Sequence, residues 1–266
     1  MLGLYDVSSG YGKKVVLQDV SFEIKENGVY IVLGRNGAGK TTLLRTIAGI
    51  LKPMKGKIMK EGSFAYLSHS LALPNEMRVK EALEFFSSIL GGDVNNVIEK
   101  FDLKGLLDKR IADLSQGQKK RVSIAKIFLK NYDIYLFDEP TENLDPITAS
   151  KIREEIVSLS KSKIVIYTSH NLYEARDIGK YVIVIDEGKL KFFKPISEIR
   201  LKEYKIGIRA SQDLSRILNG EYQGEYFVIT VDDPSKVNQI VQELISKNIQ
   251  IYEIKEMKNP LEDLLK

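Results

Sequence analysis

The chain has 266 residues, 40 of them Lys or Arg and 36 Asp or Glu, giving a formal net charge of +4. That length fits one large domain plus a small appendage, and 43% hydrophobic with 29% charged residues exclude a disordered or collagen-like polymer. The charge is spread without a basic block or an aromatic-rich basic stripe, which gives no case for nucleic acid. There is no cysteine, no run near the roughly 20 apolar residues that cross a bilayer, and no leader-like start, so a cytoplasmic protein is expected.

Residues 2–33 alternate in short stretches, LGLYDVSSGY, KKVVLQDVSFEIKENG and VYIVLG, which read as three strands separated by Gly and Asn turns. The third is apolar throughout, as in a strand buried on both faces of a parallel sheet. It runs straight into GRNGAGKTTLLRTIAGIL, where Leu43, Leu44, Ile47 and Leu51 recur at helical spacing. Helical periodicity dominates residues 79–107, in VKEALEFFSSIL and NNVIEKFDLKGLL. There follow the helix QKKRVSIAKIFLK, the apolar strand DIYLFDEP, a helix from about Pro146 to Ser160, the strand KIVIYTSH, a helix to about Gly179 and the strand YVIVIDEGKL. Strands alternating with helices predict a doubly wound α/β core with right-handed crossovers. After about residue 200 the texture changes to strand EYKIGIRA, helix DLSRILN, strand EYFVITV, helix SKVNQIVQELISK, strand IQIYEIK and a short final helix from Pro260. The expected organisation is therefore a domain over 1–200, with a helical subdomain at about 75–130, and a small α+β appendage over 201–266.

The segment GRNGAGKT, Gly34 to Thr41, matches GxxxxGK[ST] between a buried strand and a helix. Successive backbone N–H groups at a helix N-terminus make an anion cradle, and glycine lets the chain approach phosphate closely. Asn36, Gly37, Ala38, Gly39, Lys40, Thr41 and Thr42 are the candidate phosphate-binding residues. Lys40 would neutralise β- and γ-phosphate, and the Thr41 hydroxyl would ligate Mg²⁺. The strand IYLFDE ends in Asp138 and Glu139, whose alternating directions suit two jobs: Asp138 as a Mg²⁺ ligand and Glu139 as the base that polarises attacking water.

Between these motifs lies LSQGQ, residues 114–118, which resembles the LSGGQ signature of ATP-binding cassette proteins with Gln116 in place of the first glycine. Ser115, Gly117 and Gln118 open a helix whose free N–H groups and dipole favour a γ-phosphate. ENLD, ending in Asp145, resembles the D-loop, His170 the H-loop histidine, and Tyr11 the aromatic position that stacks on adenine. Such stacking is worth about 1–3 kcal/mol and tolerates different bases. Where the family usually has a glutamine after a strand, this chain reads YLSH and places His69, which can still offer a neutral nitrogen to Mg²⁺ or its water.

The resemblance implies a P-loop NTPase core with an N-terminal antiparallel β subdomain and a helical signature subdomain. It implies ATP and Mg²⁺ as cofactors, hydrolysis of ATP to ADP and phosphate, and His170 acting with Glu139 and Lys40. It also implies a head-to-tail pair of nucleotide-binding subunits closing on two ATP molecules, most simply as a homodimer. A separate transmembrane permease subunit, met near the helical insert and the His69 loop, would place the pair on the cytoplasmic face of the membrane. The ending NPLEDLLK resembles the closing segment of ATPases paired with ABC-2 type exporters, although Leu264 and Leu265 follow LED without the usual aromatic. Export is the expected direction. The alternative is a soluble, non-transport cassette ATPase acting on ribosomes or nucleic acid; such proteins usually carry two cassettes or a long coiled-coil insert, and this chain shows neither.

Overall fold

A computed structural model of the chain describes residues 1–68, 70–169, 172–199, 204–231 and 235–257. The chain divides into two compact units, Met1–Ile196 and Ser197–Lys266. The first unit opens with β1 (Leu2–Tyr11), β2 (Lys14–Ile24), β3 (Gly28–Leu33), α1 (Lys40–Ile47), β4 (Lys55–Lys60) and β5 (Phe64–Leu67). Three helices follow, α2 (Val79–Leu90), α3 (Val94–Lys100) and α4 (Gln116–Phe128). The unit closes with β6 (Ile134–Asp138), α5 (Pro146–Ser160), β7 (Ile164–Thr168), α6 (Leu172–Ile178), β8 (Tyr181–Asp186) and β9 (Lys189–Pro195).

Two sheets result. The first is antiparallel, in the order β2-β1-β4. The second is six-stranded, in the order β5-β6-β7-β3-β8-β9, and parallel except for β9. Every residue of β3, β6 and β7 is buried, so these strands read as continuous apolar runs because helices cover both faces. One core lies between the two sheets and α1, where Leu2, Leu4, Leu17, Ile24, Val32, Leu43 and Leu44 are buried together. At roughly 1.5–3 kcal/mol per buried large aliphatic side chain, this layer fixes the P-loop helix against the sheet.

Register decides where the site forms. Val32 pairs with Thr168, and Asp138 pairs with Thr168 from the other side. The segments that leave β3, β6 and β7 at Gly34, Glu139 and Ser169 therefore start from one edge of the sheet, at its carboxyl end, where open α/β sheets bind ligands.

The second unit contains β10 (Tyr204–Ala210), β11 (Gly220–Gln223), β12 (Tyr226–Val231), α7 (Ser235–Ser246) and β13 (Ile251–Glu256), with sheet order β11-β12-β10-β13, antiparallel throughout. Ile206, Ile208, Phe227, Ile229 and Leu244 form its own core.

The structure corrects several expected elements. YVIVIDEGKL is a hairpin, because Glu187 (φ 46°) and Gly188 (φ 78°) make a two-residue turn with both φ positive, the twist that returns a strand on itself. DLSRILN is a turn: the Asp213 carboxylate accepts from the backbone N–H and the hydroxyl of Ser215, a local bond that competes with helix, and one turn of so short a segment does not repay nucleation. The helix in NNVIEKFDLKGLL stops at Lys100, with Asp102 in the left-handed region (φ 49°) before a short 3-10 turn at Lys104–Leu106. The helix after the glycine loop ends at Ile47, leaving Leu51 beyond it. Strands β4 and β11 were not expected; KGKIMK is lysine-rich and mostly exposed, and all of GEYQ is exposed, so neither carries an alternating apolar face. The final helix from Pro260 lies outside the described residues.

Candidate functional site

The P-loop turns on two glycines in the left-handed region, Gly37 (φ 82°) and Gly39 (φ 111°), the second standing at the N-cap of α1. Its floor is tied down from behind. The Gly188 N–H donates to the Ala38 carbonyl at 3.0 Å, and the Gly188 carbonyl accepts from the Gln18 N–H at 2.8 Å. Ala38 itself is buried. Lys40 is 7% exposed; its Nζ donates to the carbonyls of Gly34 at 2.9 Å and Arg35 at 3.4 Å, which curls the side chain back over the loop. Burial holds the Lys40 ammonium below the ordinary lysine value, with Glu139 and Asp138 pulling the other way. A buried cation beside a glycine loop that opens a helix suits a polyanion.

Asp138 is 2% exposed and is met by three hydroxyls. Its Oδ1 accepts from Thr168 Oγ1 at 2.9 Å and from Thr41 Oγ1 at 3.2 Å, and its Oδ2 accepts from the Tyr66 hydroxyl at 3.4 Å. Two cis ligands of an octahedral Mg²⁺, at about 2.0–2.1 Å from the metal, lie about 3 Å apart, so the Thr41 and Asp138 oxygens fit that ion. Among the described residues there is no group of three or more His, Cys, Asp or Glu that could hold a metal. Mg²⁺ does not need one, since it keeps waters and takes phosphate oxygens.

Glu139 diverges from Asp138 for a different reason than strand alternation. It lies one residue past β6 with φ 50°, a left-handed conformation uncommon for a non-glycine residue, and its N–H donates to Thr168 Oγ1 at 2.9 Å. Tyr11, Lys14, Val16, Asn36, Gly37, Gly39, Lys40, Thr41, Thr42 and Glu139 line one open cleft of about 460 Å³. Tyr11 is 42% exposed at its mouth, and its hydroxyl accepts from Arg45 at 3.1 Å.

The signature residues lie elsewhere. Ser115 caps α4 in a reciprocal box: Ser115 Oγ accepts from the Gln118 N–H at 3.2 Å, and Gln118 Oε1 accepts from the Ser115 N–H at 3.1 Å. Asp145 caps α5 by accepting from the Thr148 N–H at 3.0 Å, and backbone hydrogen bonds, that from Thr148 first, hold its carboxyl below the usual range. Ser115, Gly117, Gln118 and Asp145 share a second cleft of about 470 Å³, none of whose lining residues belongs to the cleft of Lys40. His69 and His170 lie outside the described residues.

Sequence reading missed Tyr66, Arg45 and Thr168. The hydroxyls of Tyr66 and Thr168 reach Asp138, and Arg45 hydrogen-bonds both Tyr11 and Tyr66. Thr168 carried a signal, since it ends an apolar strand parallel to the one that ends at Asp138.

A glycine loop from a central parallel strand, a buried lysine, and a threonine meeting a strand-end aspartate define a P-loop nucleoside triphosphatase. The sequence pattern of the ABC transporter family matches residues 17–142. The export ATP-binding protein CcmA of cytochrome c biogenesis from Ruegeria pomeroyi is 35% identical over 187 residues, covering 68% of this chain and 92% of that protein. The Fe(3+) ions import ATP-binding protein FbpC of Mannheimia succiniciproducens is 29% identical over 244 residues, covering 84% of this chain and 69% of that one. A solved ATP-binding subunit of an ABC transporter superposes with a TM-score of 0.69 at 26% identity, over 75% of this chain and 92% of that chain. The chain belongs to the ABC transporter family, as one of its ATP-binding ATPases.

Proposed function

We propose that this chain is the nucleotide-hydrolysing subunit of a membrane exporter and works as a pair of copies clamped head to tail around two ATP molecules. The observation that carries this is the separation of the two clefts. One holds the P-loop, Lys40 and Thr41; the other holds the α4 N-terminus with Ser115, Gly117 and Gln118. Both are built for anions, by loop N–H groups in one and a helix N-terminus in the other. A second copy turned head to tail would bring its α4 N-terminus over the γ-phosphate held by the first.

In this reading Tyr11 stacks on the base, and the backbone of residues 36–42 with Lys40 cradles the phosphates. Thr41 and Asp138 hold Mg²⁺, joined by His69 or a water that it binds. Bound Mg²⁺ supplies charge neutralisation at the β- and γ-phosphate oxygens. Glu139 orients water for attack and accepts its proton, His170 contacts the γ-phosphate and that water, and Asp145 lies at the seam between copies. Thr168 fixes Asp138 and the Glu139 backbone with one hydroxyl, so both acids keep their places as charge builds. Among the described residues no helix is long and apolar enough to cross a membrane. The load is then a separate permease subunit, with this chain bound at the cytoplasmic face. The NPLEDLLK ending and the similarity to the export protein CcmA support export, while FbpC is an import protein.

The test is complementation. Lys40→Met disables the phosphate cleft and leaves the signature. Gly117→Asp places a carboxylate where the γ-phosphate would sit; its Cβ meets the Asn143 carbonyl oxygen at 3.3 Å, so the neighbouring turn must give by a few tenths of an ångström, and an acid in the first turn of α4 suits the dipole. Each variant alone is expected to be inactive, and their mixture to regain ATPase activity, because each mixed pair holds one intact composite site. A mixture as inactive as its parts overturns the paired reading.

A further inference from the structure

Behind Glu139 lies a buried polar cluster that the reading above does not use. Glu174, on α6, is 6% exposed. Its Oε1 accepts from Thr141 Oγ1 at 2.7 Å and from the Arg153 guanidinium at 3.2 Å, and its Oε2 accepts from Ser169 Oγ at 2.7 Å. Thr141 Oγ1 also meets the Tyr167 hydroxyl at 2.8 Å. A threonine hydroxyl has one proton, and here it points to a carboxylate that can only accept, so Tyr167 is the donor in that bond. Burial, with Glu174 nearby, holds the Tyr167 phenol well above its ordinary value, which keeps it protonated for that role.

These bonds close a ring around Glu139. Its N–H is held by Thr168; Ser169, the next residue along, donates to Glu174; Glu174 accepts from Thr141; and Thr141 is two residues along the chain from Glu139. The turn inside the ring is further tied by the Glu142 N–H to the Glu139 carbonyl at 3.3 Å. A left-handed non-glycine residue costs on the order of 1–3 kcal/mol and persists only where its surroundings over-determine it. The cluster supplies that determination from one strand, β7, and two helices, α5 through Arg153 and α6 through Glu174.

We propose that Glu174 is a positioning residue for hydrolysis, acting through Thr141 and Ser169 to hold the strained backbone of Glu139 so that its carboxylate faces the attacking water. The proposal rests on the assignment of Glu139 as the base. Displacement of a reacting group by about 1 Å costs up to 10²-fold in rate.

The experiment is steady-state ATPase kinetics and ATP-induced thermal shift on the full chain. Thr141→Val removes one hydroxyl at constant shape, and Glu174→Gln replaces one acceptor by a donor. Each is expected to lower kcat by about 10- to 100-fold with KM for ATP within about two-fold and the ATP-induced shift retained. Thr141→Ser, which keeps the hydroxyl, is expected to restore kcat. In a Glu139→Gln background Glu174→Gln should cost nothing further, because the group it positions is already gone. Native kcat in Thr141→Val and Glu174→Gln, with Glu139→Gln slowed by about 10²–10⁴, overturns the positioning role and leaves the base assignment standing. Full activity in Glu139→Gln overturns the base assignment itself. Equal losses in both backgrounds, or losses that follow a fall in melting temperature and are not restored by serine, show a merely structural cluster and overturn the proposal. Should Glu174→Gln fail to fold, the Thr141 pair decides alone.

Discussion

The Thr41 hydroxyl stands 3.2 Å from the Asp138 carboxylate, although the two residues belong to different motifs and different elements, helix α1 and strand β6. The contact exists because α1 starts at the carboxyl end of β3, and β6 ends beside it across β7. Removing the hydroxyl leaves Asp138 with Thr168 and Tyr66, so the fold should survive. Thr41→Ala is therefore expected to unfold at nearly the native temperature while needing at least 10-fold more Mg²⁺ for half-maximal ATPase activity, since one of two protein ligands is lost. A titration of rate against Mg²⁺ checks this. An unchanged midpoint removes Thr41 from the metal.

Lys40 gives a pH prediction. Burial lowers its folded value below 10.5, and only the charged form pairs with phosphate. Affinity for ATP should therefore be full below the depressed value and weaken as pH rises through it, before 10.5 is reached. By linkage, bound triphosphate pulls the value back up, so binding takes up protons in the interval between. Calorimetry in buffers of different ionisation heat reads that uptake, which should vanish in Lys40→Met together with the ATP-induced rise in melting temperature. At 100 times Kd that rise corresponds to about 2.7 kcal/mol in the native chain.

Much of this site was legible because its parts are contiguous. A P-loop needs a buried strand, small residues and a helix within one stretch, and GRNGAGKT showed all three. The Ser115 cap was legible for the same reason, since Gln118 answers it three residues on. Roles created by register were hidden. Thr168 reaches Asp138 only because β6 and β7 align, and Tyr66 only because β5 lies beside β6. No spacing rule links Glu174 to Thr141. The core strands were legible from continuous apolar runs, whereas half of β4 is lysine because the strand is exposed at all but Ile58. The β8–β9 hairpin was missed because Glu187 adopts a positive φ more typical of Asn or Gly.

That hairpin turn sets a stability prediction. A Cβ on Gly188 would lie 1.8 Å from the Val16 carbonyl oxygen, at φ +78°. Gly12 has a similar φ of +57°, but a Cβ there meets nothing within 4 Å. Gly12→Ala should cost about 1 kcal/mol for backbone strain alone. Gly188→Ala should cost about 3–5 kcal/mol, because the backbone must also move. Since Gly188 bonds Ala38, the same change should raise KM for ATP, which Gly12→Ala should not. Denaturant unfolding and ATPase kinetics on the two variants measure both effects. Equal destabilisation would show that the turn yields without disturbing β2 or the P-loop.

Pairing also sets how activity depends on protein concentration. If each catalytic unit needs the α4 N-terminus of a second copy, single chains are inactive and the active species forms in proportion to the square of protein concentration while pairs are scarce. Specific ATPase activity should then rise with concentration in the dilute range and level off once pairs dominate. Glu139→Gln slows chemistry by about 10²–10⁴ without removing phosphate binding, so that variant should accumulate as the ATP-bound pair. Light scattering with ATP is expected to show a doubled mass for Glu139→Gln, and no such mass for Gly117→Asp, whose new carboxylate repels the phosphate across the seam. Specific activity constant down to the lowest concentrations, with a single-chain mass for Glu139→Gln in ATP, would mean that each chain completes its own site.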